Sequence, residues 1–262
     1  MDKHALLKSY YQPDEKLLLA KVLDQADLSL KKKSVSYSDF LDPTMTAKAI
    51  GLLKQIREVH FSIFGGYDDA ERCIIAMYPD YFDDDDLEYP IKTVEIKHNA
   101  KFSSKLSHRD YLGSILGLGI ERTKIGDIIV LDDAAYCFAE SSIADYICVN
   151  LEKIGHTKVK SELSNVQRTD IFEKKMDLRN TTVSSLRADT VFGVVFAKSR
   201  SEVQDLIRGR KASINWIEID SVSLTLNEGD VLSLKGSGRG KLVEVIGTTK
   251  KGKISIIVGR YV

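Results

Sequence analysis

Five lysine and arginine side chains lie within fourteen residues of a chain whose formal net charge is zero. They are Lys198, Arg200, Arg208, Arg210 and Lys211. Guanidinium and ammonium groups bind phosphate, and arginine does so through a planar fork of donors. Ser199 and Glu202 are spaced as a capping box that starts a helix. Lys198 and Arg200 therefore lie at a helix N-terminus, where the dipole disfavours cations unless an anion binds there.

A glycine-rich segment, KGSGRGK at residues 235–241, places three more cations among three glycines. Glycine allows the backbone to approach a bulky partner and to expose its amides. Taken alone, this segment also fits a flexible hairpin with solvated charges. For Arg208 and Arg210, the helix dipole alone would favour cations in the last turn of the predicted helix. Together the two segments predict a phosphate-binding surface. Its candidate residues are Arg187, Lys198, Arg200, Arg208, Arg210, Lys211, Asn215, Lys235, Arg239 and Lys241.

The composition is that of a folded protein, with 43% apolar and 8% aromatic residues over 262 positions. Its longest apolar runs, such as IGDIIVL, are far shorter than the roughly 20 residues of a membrane span. The N-terminal stretch lacks the apolar run of a secretory signal. Cys73, Cys137 and Cys148 are widely spaced and odd in number, as expected of reduced core residues. We expect a cytoplasmic monomer with no cofactor and no metal site.

The zero net charge conceals an asymmetry along the chain. Residues 68–95 contain ten acidic and two basic side chains, whereas residues 187–262 contain thirteen basic and eight acidic ones. A basic end of this kind attracts phosphates. The run of four aspartates at 83–86 lacks the glycine and the spacing of a calcium loop, which favours a solvated loop.

The N-terminal part of the chain is predicted to be helical. One helix covers DEKLLLAKVLDQADLSL with Pro13 near its start, and a second begins after Asp42 with Pro43 in its first position. The segment FSIFGGYDDAERCIIAMYP fits either two short strands or a strand and a helix start. We divide the chain into a helical domain at 1–72, a middle domain at 73–180 and a C-terminal domain at 181–262.

The middle domain is predicted to have the element order βαββαβ, so the fold class is α+β. A strand in CIIAMYP or IKTVEIKH precedes a helix that Ser107 caps, and a hairpin then turns at Asp132 and Asp133. A second helix in SSIADYICVNLEKIG and a strand in TKVKSELS complete the order. This ferredoxin-like plan occurs in many RNA-binding sheets and in unrelated proteins, and its strands here lack the aromatic signature of an RNA-recognition motif. The basic residues of this domain form a candidate second RNA surface: Lys97, Lys101, Lys105, Arg109, Arg122 and Lys124.

The C-terminal domain is predicted to contain two helices, LRADTVFGVVFAKS and SRSEVQDLIRGR, followed by strands in ASINWIEI and DVLSLKGSG and by two more further on. The stretch 166–184 is interpreted as a strand or as an extended connection into the C-terminal domain. The segment LRADTVFGVVFAKSRSEVQDLIRGRKASIN, with EGDVLSLKGSGRG after it, resembles the αL RNA-binding domain of ribosomal protein S4 and its relatives. In those relatives glycine usually occupies the position of Arg210. In this chain the glycine comes one residue earlier, at Gly209, so we expect this helix end to be shaped differently.

The remainder of the chain is similar to the YlmH family, whose genes lie near division genes in Gram-positive bacteria. The similarity is carried by FLDP, AER, YPDYF and above all SHRDYLGSILGLGIERTKIGDIIV, and it spans nearly the whole chain. It implies a non-catalytic RNA-binding protein whose S4-like domain contacts rRNA of the large ribosomal subunit, with peptidyl-tRNA adjacent. The implied role is ribosome rescue and quality control, with a family link to cell division.

Two other classes of function compete with RNA binding. An RNA-modifying enzyme is suggested by LRADT, which resembles the RLDxxT motif of pseudouridine synthases, but Asp189 lies inside the αL segment and a helix-start role is favoured. The sequence LGLGIERTKIGD lacks the Lys-Ser/Thr pair of a nucleotide loop, and His108-Arg109-Asp110 has no evident nucleophile beside it. A division-site adaptor would be favoured by a long exposed heptad pattern, which the sequence lacks.

Overall fold

The computed structural model describes residues 2–84, 87–98, 106–164 and 176–261. The chain divides into two compact units, residues 1–172 and 173–262. The first unit contains α1 (Lys3–Leu6), α2 (Pro13–Lys32), β1 (Ser36–Tyr37), α3 (Pro43–Leu53), β2 (His60–Phe64), β3 (Ile74–Tyr78), β4 (Ile91–His98), α4 (His108–Leu116), a 3-10 turn (Arg122–Lys124), β5 (Ile125–Val130), β6 (Ala134–Glu140), α5 (Ser141–Asn150), β7 (Lys153–Ile154) and β8 (Thr157–Ser164). None of the helices in these described ranges is long and apolar enough to cross a membrane.

The N-terminal part of the first unit combines helices with a small sheet. Pro13 occupies the first turn of α2, and the Asp42 carboxylate accepts a hydrogen bond of 2.9 Å from the Met45 amide at the start of α3, as predicted. Strands β1, β3 and β2 form a three-stranded antiparallel sheet in that order. The two-strand alternative for residues 61–79 is therefore the one observed. The N-terminal segment is not helical throughout, because these strands cover the apolar side of α2 and α3.

The five-stranded sheet of the first unit has the order β5-β6-β4-β8-β7, with every neighbouring pair antiparallel. The elements β4, α4, β5, β6, α5 and β8 follow the predicted βαββαβ order. Ser107 and Asp110 form a capping box that starts α4. Helices α4 and α5 bury Tyr111 and Ile147 against one face of the sheet. On the other face Phe138 packs with aromatic and aliphatic residues of the N-terminal part.

The second unit contains β9 (Met176–Val183), α6 (Ala188–Phe196), α7 (Arg200–Arg208), β10 (Ala212–Ile214), β11 (Ile217–Ile219), β12 (Val231–Leu234), β13 (Gly238–Thr248) and β14 (Ile254–Tyr261). Its strands form one antiparallel sheet in the order β11-β10-β12-β13-β14-β9. Phe192 of α6, Val203 of α7 and Leu232 of β12 meet in a single core, so both helices cover the same face of this sheet.

Two features of the second unit differ from the sequence-based expectations. The segment ASINWIEI is two strands rather than one, because Asn215 and Trp216 adopt φ values of 47° and 63° and reverse the chain. The predicted boundary between residues 180 and 181 falls inside β9, which pairs with β14 along its whole length. Part of the 166–184 stretch is thus a strand, and its residues 166–175 lie outside the described residues.

Candidate RNA interface

The start of α7 is organised around one fully buried carboxylate, that of Asp189 in the first turn of α6. Arg200 donates from Nε to Asp189 Oδ2 at 2.9 Å, and Gln204 donates from Nε2 to the same oxygen at 2.8 Å. Arg187 adds two longer bonds, of 3.3 and 3.4 Å, to the two carboxylate oxygens. We call Arg187, Asp189, Arg200 and Gln204 the Asp189 cluster.

The electrostatics of the Asp189 cluster favour the ionised carboxylate. Burial by itself would raise the pKa of Asp189, since it penalises the charged form. The hydrogen bonds from Arg187, Gln204 and Arg200 outweigh burial and hold the pKa of Asp189 well below its usual range. Two of the predicted cations, Arg187 and Arg200, therefore each have an internal carboxylate partner.

Lys198, just before α7, also has a partner of its own. Its Nζ lies 2.5 Å from Glu202 Oε1, one helical turn further on. The pair is on the protein surface, where such ion pairs contribute little to stability and exchange readily with other ligands.

The C-terminus of α7 forms a regular Schellman motif. The Arg210 amide donates to the Ile207 carbonyl and the Lys211 amide donates to the Leu206 carbonyl, both at 2.9 Å. Gly209 has φ −79°, and the left-handed position belongs to Arg210, with φ 55°. The arginine thus occupies the residue position at which glycine is ordinarily favoured. Despite the displaced glycine, the hydrogen bonds of this helix end are the regular ones.

Beyond α7, the remaining cations lie at one end of the sheet, where β10 and β13 begin and β12 and β14 end. The Lys235 amide donates to the Lys211 carbonyl at 2.9 Å, which brings the β12–β13 turn beside the end of α7. Arg260 donates from Nη2 to the Ser237 carbonyl in that turn at 2.8 Å, and Arg239 Cζ lies 5.8 Å from the ring centroid of Tyr261. We call this set the basic edge: Arg208, Arg210, Lys211, Lys235, Arg239 and Arg260.

Ion pairs at the basic edge are few among the residues that the structure describes. Arg210 lies 3.8 Å from both Glu218 and Asp220, at the limit of an ion pair and with 67% of its side chain exposed. Arg208, Lys211 and Lys235 are exposed and have no ion-pair partner among the described residues. These cations are available to an external anion, as are the exposed Lys250, Lys251 and Lys253 between β13 and β14.

The residues predicted to bind phosphate do not lie on one continuous face of the second unit. Arg239 and Lys241 pair in register with Ser233 and Val231, while Leu232 of the same strand is in the core. Because side chains alternate along a strand, Arg239 and Lys241 point to the sheet face that lies opposite the helices. Lys241 is consequently separated from the cations at the start of α7.

Asn215 makes two internal hydrogen bonds, and its RNA contact stays a prediction. Its Nδ2 donates to Asp230 Oδ1 at 2.7 Å, and its Oδ1 accepts from the Val231 amide at 2.9 Å. Both ends of its amide side chain are used to hold the turn between β10 and β11 against β12.

Arg260, in contrast, was absent from the sequence-based set of RNA-binding residues. The excess of basic residues after position 245 pointed to it, but only the pairing of β13 with β14 places it beside the glycine-rich turn.

The candidate second RNA surface is largely committed to internal contacts. Lys97 bridges Glu95 and Glu162 at 2.8 and 2.9 Å, and Lys124 binds Asp39 and Glu140. The carboxylates that hold Lys97 raise its pKa, and the pKa of Glu162 falls to about 2 through its bonds to Lys97 and Lys160.

The guanidinium of Arg122 is also engaged internally. It donates to the backbone carbonyls of Ile125 and Gly126, and burial lowers its pKa. Arg122, Lys124 and Lys97 therefore have internal partners, and their role as RNA contacts stays a prediction. Arg109 is exposed in the first turn of α4 with no ion-pair partner in the described ranges, and Lys101 and Lys105 lie outside the described residues.

Comparisons with known proteins agree with one another on the family. The family model "YlmH, N-terminal" matches residues 15–82, and "Putative RNA-binding domain in YlmH" matches residues 84–168. The chain belongs to the YlmH family.

Two related proteins have informative names. The Bacillus subtilis (strain 168) protein named ribosome-associated protein quality control protein P2 is 29% identical over 244 residues, which are 93% of this chain and 94% of that protein. A solved structure named cell division protein ylmH, from Streptococcus pneumoniae, superposes with a TM-score of 0.50 at 25% identity. That comparison covers 60% of this chain and 94% of the solved one. Ribosome association and an RNA-binding domain are thus features of this YlmH-family chain's relatives.

The structure also bears on the enzyme alternative for this YlmH-family chain. Asp189, the residue that resembles a synthase aspartate, has no exposed surface and is surrounded by donors from its own unit. Burial raises the pKa of the Cys137 thiol to about 12, which leaves it uncharged and unreactive at neutral pH. The described ranges contain no group of three or more His, Cys, Asp or Glu residues arranged to hold a metal ion.

Proposed function

We propose that this YlmH-family protein binds rRNA of the large ribosomal subunit through the basic edge of its second unit. The observation that carries the proposal is the concentration of exposed cations at that edge, where Arg208, Lys211 and Lys235 lack ion-pair partners in the described part of the chain. Cations of this kind neutralise backbone phosphates and position a protein on RNA. The second unit would then be an S4-like RNA-binding domain.

The proposed biological role is ribosome-associated quality control. It is supported by the printed name of the Bacillus subtilis relative, which matches this chain over nearly its full length. On this proposal the protein is a cytoplasmic, monomeric and non-catalytic binding factor that contacts a large subunit still holding peptidyl-tRNA. A link to cell division is supported by the name of the pneumococcal relative alone.

Co-sedimentation with purified ribosomal subunits tests the proposal. We expect the full-length protein to co-sediment with large subunits more than with small ones. The double variant Lys235→Ala, Arg239→Ala should lower the bound fraction at least about 10-fold, since each lost charged contact costs about 1 kcal/mol or more. The matched control is Lys54→Ala, Arg57→Ala, which removes two exposed cations of the first unit. Equal binding by both double variants would reject the basic edge as the rRNA contact.

Contact with tRNA requires a separate comparison. Chemical footprints of the protein on large subunits with and without bound peptidyl-tRNA should differ at tRNA nucleotides if the tRNA is touched directly. An identical set of protected rRNA nucleotides, with no protection on the tRNA, would limit the function to rRNA binding.

A further inference from the structure

The connection between β13 and β14 contains three lysines and lies apart from the basic edge. Lys250, Lys251 and Lys253 fall within four residues, and all three are exposed. We call them the lysine turn. None of the three has an ion-pair partner among the residues that the structure describes. Residues 245–262 contain four basic side chains and no acidic one, so no carboxylate nearby in the sequence screens this charge.

The backbone of the lysine turn is held in a defined conformation. The Gly252 amide donates to the Thr249 carbonyl at 2.9 Å, and the Thr249 amide donates to the Lys253 carbonyl at 2.7 Å. The Lys253 amide also donates to Thr249 Oγ1 at 3.1 Å. Gly252 has φ 74°, the left-handed conformation that closes a three-residue hairpin loop. Because this backbone is fixed in advance, binding an anion here costs less conformational entropy.

Strand β13 separates the lysine turn from the basic edge. The basic edge lies where β13 begins, and the lysine turn follows the other end of the same strand. The strand has eleven residues, Gly238–Thr248, which places the two sites about 30 Å apart. The Debye length is about 8 Å at physiological ionic strength. The two sites are therefore too far apart to share one phosphate, and each attracts anions on its own.

The chemistry of the lysine turn suits the backbone of a nucleic acid. Three ammonium groups within four residues repel one another, and a polyanion bound among them relieves that repulsion. Lysine acts as a point charge with rotatable donors, so it binds phosphate without reading a base. Patches that bind anionic lipids typically contain about four to eight cations, more than the three present here. RNA held at the basic edge would also raise the effective concentration of further phosphates near the turn.

We propose that the lysine turn is a second RNA-backbone contact, so that the second unit binds phosphates at both ends of its sheet. The inference rests on the proposed function, which it deepens by assigning a second site that takes a separate segment of RNA. A single contact fixes a point of the protein on RNA, whereas two contacts about 30 Å apart also fix its orientation.

The first test measures the charge of the lysine turn. Full-length protein with a fluorophore at its N-terminus is titrated with purified large ribosomal subunits at several salt concentrations. The variant Lys250→Ala, Lys251→Ala, Lys253→Ala keeps Thr249 and Gly252, which form the turn. It should bind about 10-fold more weakly, with a slope of log affinity against log salt concentration shallower by about 2. The matched control changes the same three lysines to arginine, and it should bind within about 2-fold of wild type.

The second test locates the RNA at each end of the sheet. An iron chelate that generates hydroxyl radicals is attached at Ser237→Cys in the β12–β13 turn or at Thr248→Cys beside the lysine turn. Both variants also carry Cys148→Ser, because the other two cysteines are buried and do not compete for the label. On bound large subunits, the two probes should cleave two separate sets of rRNA nucleotides.

The outcomes separate this inference from the proposed function. Wild-type protein that fails to bind large subunits overturns both. The second contact alone is overturned if the alanine variant of the lysine turn keeps wild-type affinity and slope while Lys235→Ala, Arg239→Ala binds weakly. Normal subunit binding by the alanine variant, with loss of binding to phosphatidylglycerol vesicles, would overturn it in favour of a membrane surface. Weakened binding that arginine restores, together with cleavage of rRNA from Thr248→Cys, supports it.

Discussion

At the scale of single residues, the identity of the cations was evident from the sequence, but their partners were not. Spacing predicted that Lys198 and Arg200 lie at a helix start, and both do. The carboxylate that binds Arg200 lies eleven residues earlier in the chain and reaches it only because α6 and α7 pack together. Likewise Arg122 is a half-buried donor to backbone carbonyls, a role that no local pattern indicates.

The buried aspartate predicts a particular dependence of stability on pH. Since the folded-state pKa of Asp189 is depressed, its contribution is complete above its unfolded-state pKa of about 3.9 and is lost as the pH falls below that value. Asp189→Asn should lower the free energy of unfolding by about 2 kcal/mol at pH 7, and the difference from wild type should shrink to about 1 kcal/mol at pH 3. Urea unfolding of both proteins at the two pH values measures this. A constant difference would show that the carboxylate's charge is not what stabilises the cluster.

At the scale of elements, the start signals in the sequence were the most reliable guide. Asp42 and Ser107 cap the helices that they were predicted to cap, because capping depends on residues within one turn. The hairpin within ASINWIEI was missed, since neither Asn215 nor Trp216 is glycine and yet both adopt positive φ. Side-chain bonds from Asn215 to Asp230 and Val231 stabilise that turn, and they depend on β12, which begins sixteen residues later.

The end of α7 predicts opposite effects on stability and on binding. Arg210→Gly should raise the free energy of unfolding by about 0.5–1 kcal/mol, because glycine removes the strain of the left-handed conformation at φ 55°. The same change should weaken binding to large subunits about 5-fold, since a cation of the basic edge is lost. Arg210→Ala is the control, because it loses the charge and keeps the strain. The two variants should bind equally and differ in urea unfolding, and equal stability would contradict this account of the helix end.

At the scale of the whole molecule, the asymmetry of charge along the chain follows the division into two compact units. The excess of basic residues after position 187 lies in a separate compact unit, whereas the cations of the five-stranded sheet are mostly bound to nearby carboxylates. The α+β class and the order of the middle elements followed from periodicity and turn residues. The arrangement of the basic edge did not, because it depends on strand pairings between separate segments, such as that of β10 with β12.

The dependence of large-subunit binding on salt tests the central claim most directly. Each phosphate contact contributes roughly 0.7–0.9 to the slope of log affinity against log salt concentration. The triple variant Arg208→Ala, Lys211→Ala, Lys235→Ala should therefore bind more weakly and with a slope shallower by about 2–3. The control Lys16→Ala, Lys54→Ala, Arg57→Ala, at exposed positions of the first unit, should retain the wild-type slope. A triple variant of the basic edge with wild-type affinity and slope would contradict the account.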